Sequence, residues 1–131
     1  MHVVAGALFD AAGRVLIAQR PPGKHMAGGW EFPGGKLAHG EERRAGLVRE
    51  LREELGVEVL AATEVIAYVH EYPETRVLLD LWRVTEYRGE PQPLDGQALR
   101  WVRLEELPEA GLLEADRPMI AALCKERFRA S

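Results

Sequence analysis

Apolar positions along the chain fall in short runs divided by turn-forming clusters, and their period changes from two to about four residues twice, after Glu41 and after Arg117. The run Val3-Val4-Ala5-Gly6-Ala7-Leu8-Phe9 is apolar and partly β-branched. Asp10-Ala11-Ala12-Gly13 supplies turn chemistry, and Arg14 to Arg20 reads as the returning strand of a hairpin. Residues 21–29 carry Pro and Gly without periodicity and predict a loop. Trp30-Glu31-Phe32 reads as a short strand ended by Pro33, and Gly34-Gly35 as a second loop in which the backbone is released from ordinary sterics.

From Glu41 to Leu55 the pattern becomes helical. Leu47, Leu51 and Leu55 recur at i, i+4 and i+8 with Val48 beside them, and Gly56 stands where a glycine ends a helix. Val57 to Leu60, Val65 to Tyr72 and the strongly β-like, central run Arg76 to Val84 follow as strands, and Leu99 to Val102 as another. Arg117 to Arg129 predicts a closing helix with Ile120, Leu123 and Cys124 on one buried face. There are too few helices to cross over between the strands of an all-parallel sheet, so the order predicts an α+β fold, a curved mixed sheet between helices.

A length of 131 residues, 47% hydrophobic and 29% charged, fits a single globular domain over 1–131 and excludes a disordered tail or fibrous repeat. The net charge of −4 argues against binding a nucleic-acid polymer, which needs many phosphate-neutralising cations. Cys124 is the single cysteine, so an internal disulfide and a multi-cysteine zinc site are both excluded. No window approaches the roughly 18 uninterrupted apolar residues of a membrane helix, and the first residues lack a secretory pattern. A soluble, cytoplasmic protein with no membrane partner is expected, a monomer or weak homodimer.

Chemistry is concentrated in the helix. Glu50, Glu53 and Glu54 at i, i+3 and i+4 crowd one edge beside the leucine stripe, a repulsion that a divalent cation converts into ligation. Hard carboxylate oxygens suit Mg²⁺ or Mn²⁺, and Mg²⁺ is usually shared between a few carboxylates, waters and substrate phosphates. His25, His39 and His70 are scattered and carry no catalytic expectation, and no Ser/His/Asp order or P-loop is present.

The segment Gly35, Glu41, Arg49-Glu50-Leu51, Glu53-Glu54, Gly56-Val57 matches every specified position of the pattern G-x5-E-x7-R-E-U-x-E-E-x-G-U, U being aliphatic. The chain thereby resembles the Nudix hydrolases. Gly29 to Lys36, Gln19-Arg20 ahead of His25-Met26-Ala27, and Ala115-Asp116-Arg117-Pro118 are similar to the MutT-type members, so the likeness runs from Val3 to about Lys125. Two positions depart from the pattern: Ala38 stands where Glu is common, and Asp116 where the bacterial prototype carries an amide.

The resemblance implies a Nudix α/β/α sandwich and Mg²⁺-dependent hydrolysis of a nucleoside triphosphate to the monophosphate and pyrophosphate. In it Glu50, Glu53, Glu54 and the main-chain carbonyl of Gly34 hold the metal. Arg49 orients neighbouring carboxylates; Glu41 caps the helix N-terminus or sits near the metal; the general base is Glu53 or, alternatively, the loop residue Asp95. Asp116 reads the base, with Arg20, Phe32 and Leu78 lining its pocket. The implied substrate is an oxidised nucleotide such as 8-oxo-dGTP in nucleotide-pool sanitation. The alternatives are CTP, dCTP or 5-methyl-dCTP, or a nucleotide-binding module without catalysis.

Overall fold

A computed structural model describes residues 1–23 and 26–130. In chain order the elements are β1 (His2–Leu8), β2 (Val15–Gln19), β3 (Trp30–Glu31), β4 (Gly34–Lys36), α1 (Arg43–Leu55), β5 (Glu58–Glu71), β6 (Arg76–Arg88), β7 (Ala98–Val102) and α2 (Arg117–Ala130). Short 3-10 turns at Leu104–Glu109 and Glu114–Asp116 lead from β7 into α2. One sheet has the order β4-β1-β6-β5, with β1 parallel to β6 and the other neighbours antiparallel; a second, antiparallel sheet has the order β3-β2-β7.

Strand alternation sorts the apolar side chains into two layers. Val4 and Leu8 of β1, Leu16 of β2, and Trp82 and Val84 of β6 pack with Leu47, Leu51 and Leu55 of α1. Ala5, Ala7, Val15, Ile17, Val77, Leu79 and Leu81 face the other way, toward Met119, Ile120 and Leu123 of α2. The result is an α/β/α sandwich around a mixed sheet. At Gly6 an added Cβ would lie 2.9 Å from Leu51 Cδ1, so the bare backbone there lets α1 sit close on β1.

Several expectations change. The turn at Asp10 forms, its Oδ1 accepting the N–H groups of Ala12 (3.0 Å) and Arg14 (2.8 Å), yet β1 and β2 are not a hairpin. After the single bridge Phe9–Val15 they part, because the hydrogen-bonding edges of β1 are taken by β4 and β6 and those of β2 by β3 and β7. The two strands expected between Val57 and Tyr72 are one long strand, β5, with irregularities near Val59–Ala62 and Glu64–Ile66. Gly34-Gly35 is strand rather than loop, paired with Ala5 and Val4 of β1. Cys124 is exposed, not buried. The buried stripe of α2 is Met119, Ile120 and Leu123, and one further step of about 100° past Leu123 carries the next side chain out to solvent.

Candidate functional site

Helix α1 ends at Gly56, whose φ of 70° is left-handed and whose N–H caps Arg52 O at 2.9 Å. With the leucine stripe buried, the adjoining edge of α1 faces β4. That strand is squeezed: a Cβ on Gly34 would strike the Val4 carbonyl oxygen, and one on Gly35 would strike the Glu50 carboxylate. Glycine is therefore required at Gly34, where the clash is with backbone, whereas at Gly35 a side chain would displace the Glu50 carboxylate from its place on the edge. Neither has the positive φ that a loop reading implies.

Arg49 organises the carboxylates on this edge. Its Nε and Nη2 donate to the two oxygens of Glu41 (2.8 and 2.9 Å), its Nη1 donates to Glu50 (3.0 Å) and Glu53 (3.1 Å), and its Nη2 also reaches the Lys36 carbonyl (3.1 Å). Glu41 additionally accepts the Ala38 N–H at 2.9 Å, and the Arg49 and Ala38 bonds hold its carboxyl at about 2. The helix N-cap is Glu42, without a side-chain cap bond, so Glu41 does not serve as the cap. It closes the loop before the helix.

The three helix carboxylates do not share one environment. Glu53 is 59% exposed on the outer side of Arg49. Glu54 lies inward and accepts the Gly34 N–H at 3.2 Å; burial first, then the charge of Glu50, push its carboxyl up to about 8. Burial likewise raises Glu50 against the pull of Arg49. Hard oxygens whose ionisation is opposed by burial and mutual repulsion are suited to a divalent cation. Among the described residues no group of three or more His, Cys, Asp or Glu side chains is gathered to hold a metal ion by itself, so an ion at this edge would need phosphate and water oxygens as well.

On the α2 side of β4 a cavity of about 670 Å³ opens, with Gly34 and Lys36 in its wall. Arg20 and Glu31 line it as a two-pronged pair, Nε and Nη2 each 3.1 Å from a carboxylate oxygen. Phe32, Val77, Leu79 and Met119 supply apolar surface, and Tyr72 from the β5–β6 turn stands at the same cavity. Asp116 is 8% exposed and accepts the Phe32 N–H at 3.2 Å; burial and then the charge of Glu31 push its carboxyl up to about 7. Tyr68 O–H, donating to Ala115 O at 2.6 Å, ties this segment to β5.

Arg20, Phe32 and Asp116 are thus brought to one cavity, and Glu41, Arg49, Glu50, Glu53 and Glu54 to the adjoining edge of α1. Leu78 is a correction. Alternation along β6 turns Val77 and Leu79 to the cavity and Leu78, with Asp80 and Trp82, to the opposite face. A charged residue inside that apolar run marks its phase, so Asp80 is the signal that identifies Val77 and Leu79. Glu31 and Tyr72 were also missed, and they carry no local pattern. Asp95 is exposed, on the loop beyond the C-terminal end of α1, and its charge is felt by Glu54. His39 is exposed, His70 packs edge-on against Tyr72, and His25 lies outside the described residues.

The NUDIX domain family model matches residues 4–122. A CTP pyrophosphohydrolase of Escherichia coli K12 is 40% identical over 122 residues, covering 93% of this chain and 90% of that one. A putative 8-oxo-dGTP diphosphatase 2 of Mycobacterium tuberculosis H37Rv is 44% identical over 125 residues, covering 94% and 87%. A structure from work on MutT of Aliivibrio salmonicida and Vibrio cholerae superposes with a TM-score of 0.82 at 32% identity, covering 95% of this chain and 97% of that one. Carboxylate edge, glycine strand and cavity occur here in a chain that belongs to the Nudix family, and the protein is a MutT-type Nudix hydrolase acting on phosphoanhydride bonds.

Proposed function

We propose that the protein hydrolyses a nucleoside triphosphate to the monophosphate and pyrophosphate with Mg²⁺, for which Mn²⁺ can substitute. The observation that carries this is the position of Gly34. It lines the cavity on one side of β4, while its N–H holds Glu54 on the other, so a base in the cavity has its phosphates directed at the carboxylate edge. Nudix hydrolases generally use divalent metal ions. Glu50, Glu53, Glu54 and the Gly34 carbonyl are the groups that would hold one here. When bound, such an ion neutralises phosphate charge and lowers the pKa of the attacking water.

The chain's own groups do the rest. Arg49 fixes Glu41, Glu50 and Glu53 relative to one another. Glu53 accepts the proton from water, with Asp95 as the alternative base. The water oxygen bonds to phosphorus as the bridging P–O bond breaks, and pyrophosphate leaves. Asp116 and Arg20 bind the edge of the base, against the face of Phe32.

The substrate proposed is an oxidised purine nucleotide such as 8-oxo-dGTP, in sanitation of the cytoplasmic nucleotide pool by a monomer or weak homodimer. A cytidine triphosphate is the second reading, favoured by the 40% identity to the E. coli CTP pyrophosphohydrolase. Pyrophosphate release across canonical, 8-oxo and 5-methyl nucleotides, beside a Glu53→Gln control, tests both. Preference for 8-oxo-dGTP supports the first reading and preference for CTP or dCTP the second; no release from any nucleotide overturns the proposal.

A further inference from the structure

The loop that carries Asp95 is docked on the end of α1 by a residue with no part in the site as described so far. Helix C-terminal carbonyls lack partners within the helix. Here Leu55 O accepts the Gln92 N–H (2.9 Å) and Glu54 O the Leu94 N–H (3.1 Å). The Gln97 side chain completes the joint: its Nε2 donates to the same Glu54 carbonyl at 3.2 Å, and its Oε1 accepts the Asp95 N–H at 2.9 Å. Gln97 is 8% exposed within an otherwise exposed loop, residues 92–96. A buried amide is retained at little cost only when both ends are bonded, as they are here. One of those bonds goes to the backbone of Asp95 and the other to the backbone of Glu54, whose carboxylate is held by Gly34.

We propose that Gln97 is a positioning residue for hydrolysis: its side-chain amide sets the distance between the loop carboxylate Asp95 and the Glu50–Glu54 edge. Leu94 is anchored to α1 through its own N–H, but the further backbone bond of the turn, Gly96 N–H to Pro93 O at 3.2 Å, bypasses Asp95, which is tied instead through the Gln97 side chain. The inference rests on the proposed hydrolase reading, and on Asp95 acting in it.

The test is a double-mutant cycle on pyrophosphate release with Gln97→Met, which keeps side-chain length and removes both bonds, and Asp95→Asn. Gln97→Met is expected to lower kcat about tenfold with KM within about twofold, and to have less than about a twofold effect in the Asp95→Asn background. Equal losses in both backgrounds make Gln97 merely structural and overturn the proposal; so does an Asp95→Asn enzyme with full kcat. Amide hydrogen exchange on the wild-type protein supplies an arm independent of activity and of any variant's folding. The Asp95 N–H is expected to exchange at least about tenfold more slowly than an open loop amide, and exchange at the open-loop rate overturns the joint. If no nucleotide is hydrolysed, the hydrolase reading fails by itself while the exchange result still decides the joint.

Discussion

Asp80, 1% exposed in β6, is gripped by Arg43 from the first turn of α1, Nε to Oδ2 at 2.7 Å and Nη2 to Oδ1 at 2.9 Å. His2 Nε2 lies 2.8 Å from the same Oδ2, and the Arg43 guanidinium stacks 5.1 Å from the Trp82 ring centre. The pair fastens the start of the acidic helix to the sheet. Burial acts to raise the Asp80 carboxyl, but the Arg43 and His2 bonds outweigh it and leave it below the usual range. Arg43→Met is expected to destabilise the fold by about 2–3 kcal/mol, somewhat less than a fully buried pair because the guanidinium is half-exposed. A lowered carboxyl contributes stability above its unfolded value and loses it as pH falls through the folded one, so the wild type should lose this increment on acidification and the variant should not. Urea titrations across acidic pH check both.

Burial of the Glu54 carboxyl costs the fold stability. Its carboxyl is pushed up to about 8, so the metal-free fold is burdened by ionising it, and that burden grows as pH rises from the ordinary glutamate range to about 8. Glu54→Gln should therefore melt a few degrees higher than the wild type at alkaline pH, with a smaller gap at about pH 5, while hydrolysis falls by orders of magnitude. Thermal melts in a chelator, beside pyrophosphate release, provide the comparison.

Asp116 titrates at about 7, where its two forms offer different hydrogen bonds. The neutral acid donates and accepts; the anion only accepts. A guanine-type edge presents two N–H donors and matches the anion, whereas cytosine presents a donor beside an acceptor and matches the acid. The ratio of kcat/KM for 8-oxo-dGTP over dCTP should rise as pH increases from about 6 to about 8, and Asp116→Asn should flatten that rise. A ratio independent of pH in the wild type counts against Asp116 as the group that reads the base. In stability the folded state keeps a proton on Asp116 that the unfolded chain releases between about 4 and about 7, so the metal-free wild type should lose more stability across that window than the Asn variant, which keeps only the Glu54 share.

The phase of β6 makes a paired prediction. Val77→Phe fills the cavity and should raise KM for the preferred nucleotide about tenfold or more, whereas Leu78→Phe, on the opposite face, should leave KM within about twofold. Steady-state kinetics on the two variants provide the comparison, and the reverse order sinks the placement of the base in this cavity.

Residues related by helical spacing were readable because one period fixes them. Arg49, Glu50, Glu53 and Glu54 share an edge for the same reason that Leu47, Leu51 and Leu55 share a stripe. What the spacing leaves open is how deep each carboxylate sits, since Glu54 is drawn inward by a glycine twenty positions upstream and Glu53 outward by Arg49. Strand partners were harder. The turn at Asp10 is chemically a hairpin turn, yet β1 and β2 join different sheets, because residues far along the chain claim their edges. Gly34 and Gly35 were legible as glycines but not as strand, since the reason for them is a carbonyl and a carboxylate brought up by tertiary packing. Asp116 was legible through the resemblance but its depth was not, and Gln97 stands out only by its burial, which no local pattern encodes.

The parallel pairing of β1 with β6 also sets an order of assembly. His2–Leu8 can meet β4 once some thirty residues have been made, but its other edge and much of the floor beneath α1 wait for Arg76–Arg88. Until then a growing chain holds its leucine stripe over an unfinished surface, with Val4, Leu8, Leu47 and Leu51 lacking Trp82 and Val84. Contacts of such long sequence separation slow folding and leave apolar surface open to aggregation or to chaperones. The acidic edge, read so readily as a local motif, acquires its working shape only after the sixth strand has been synthesised.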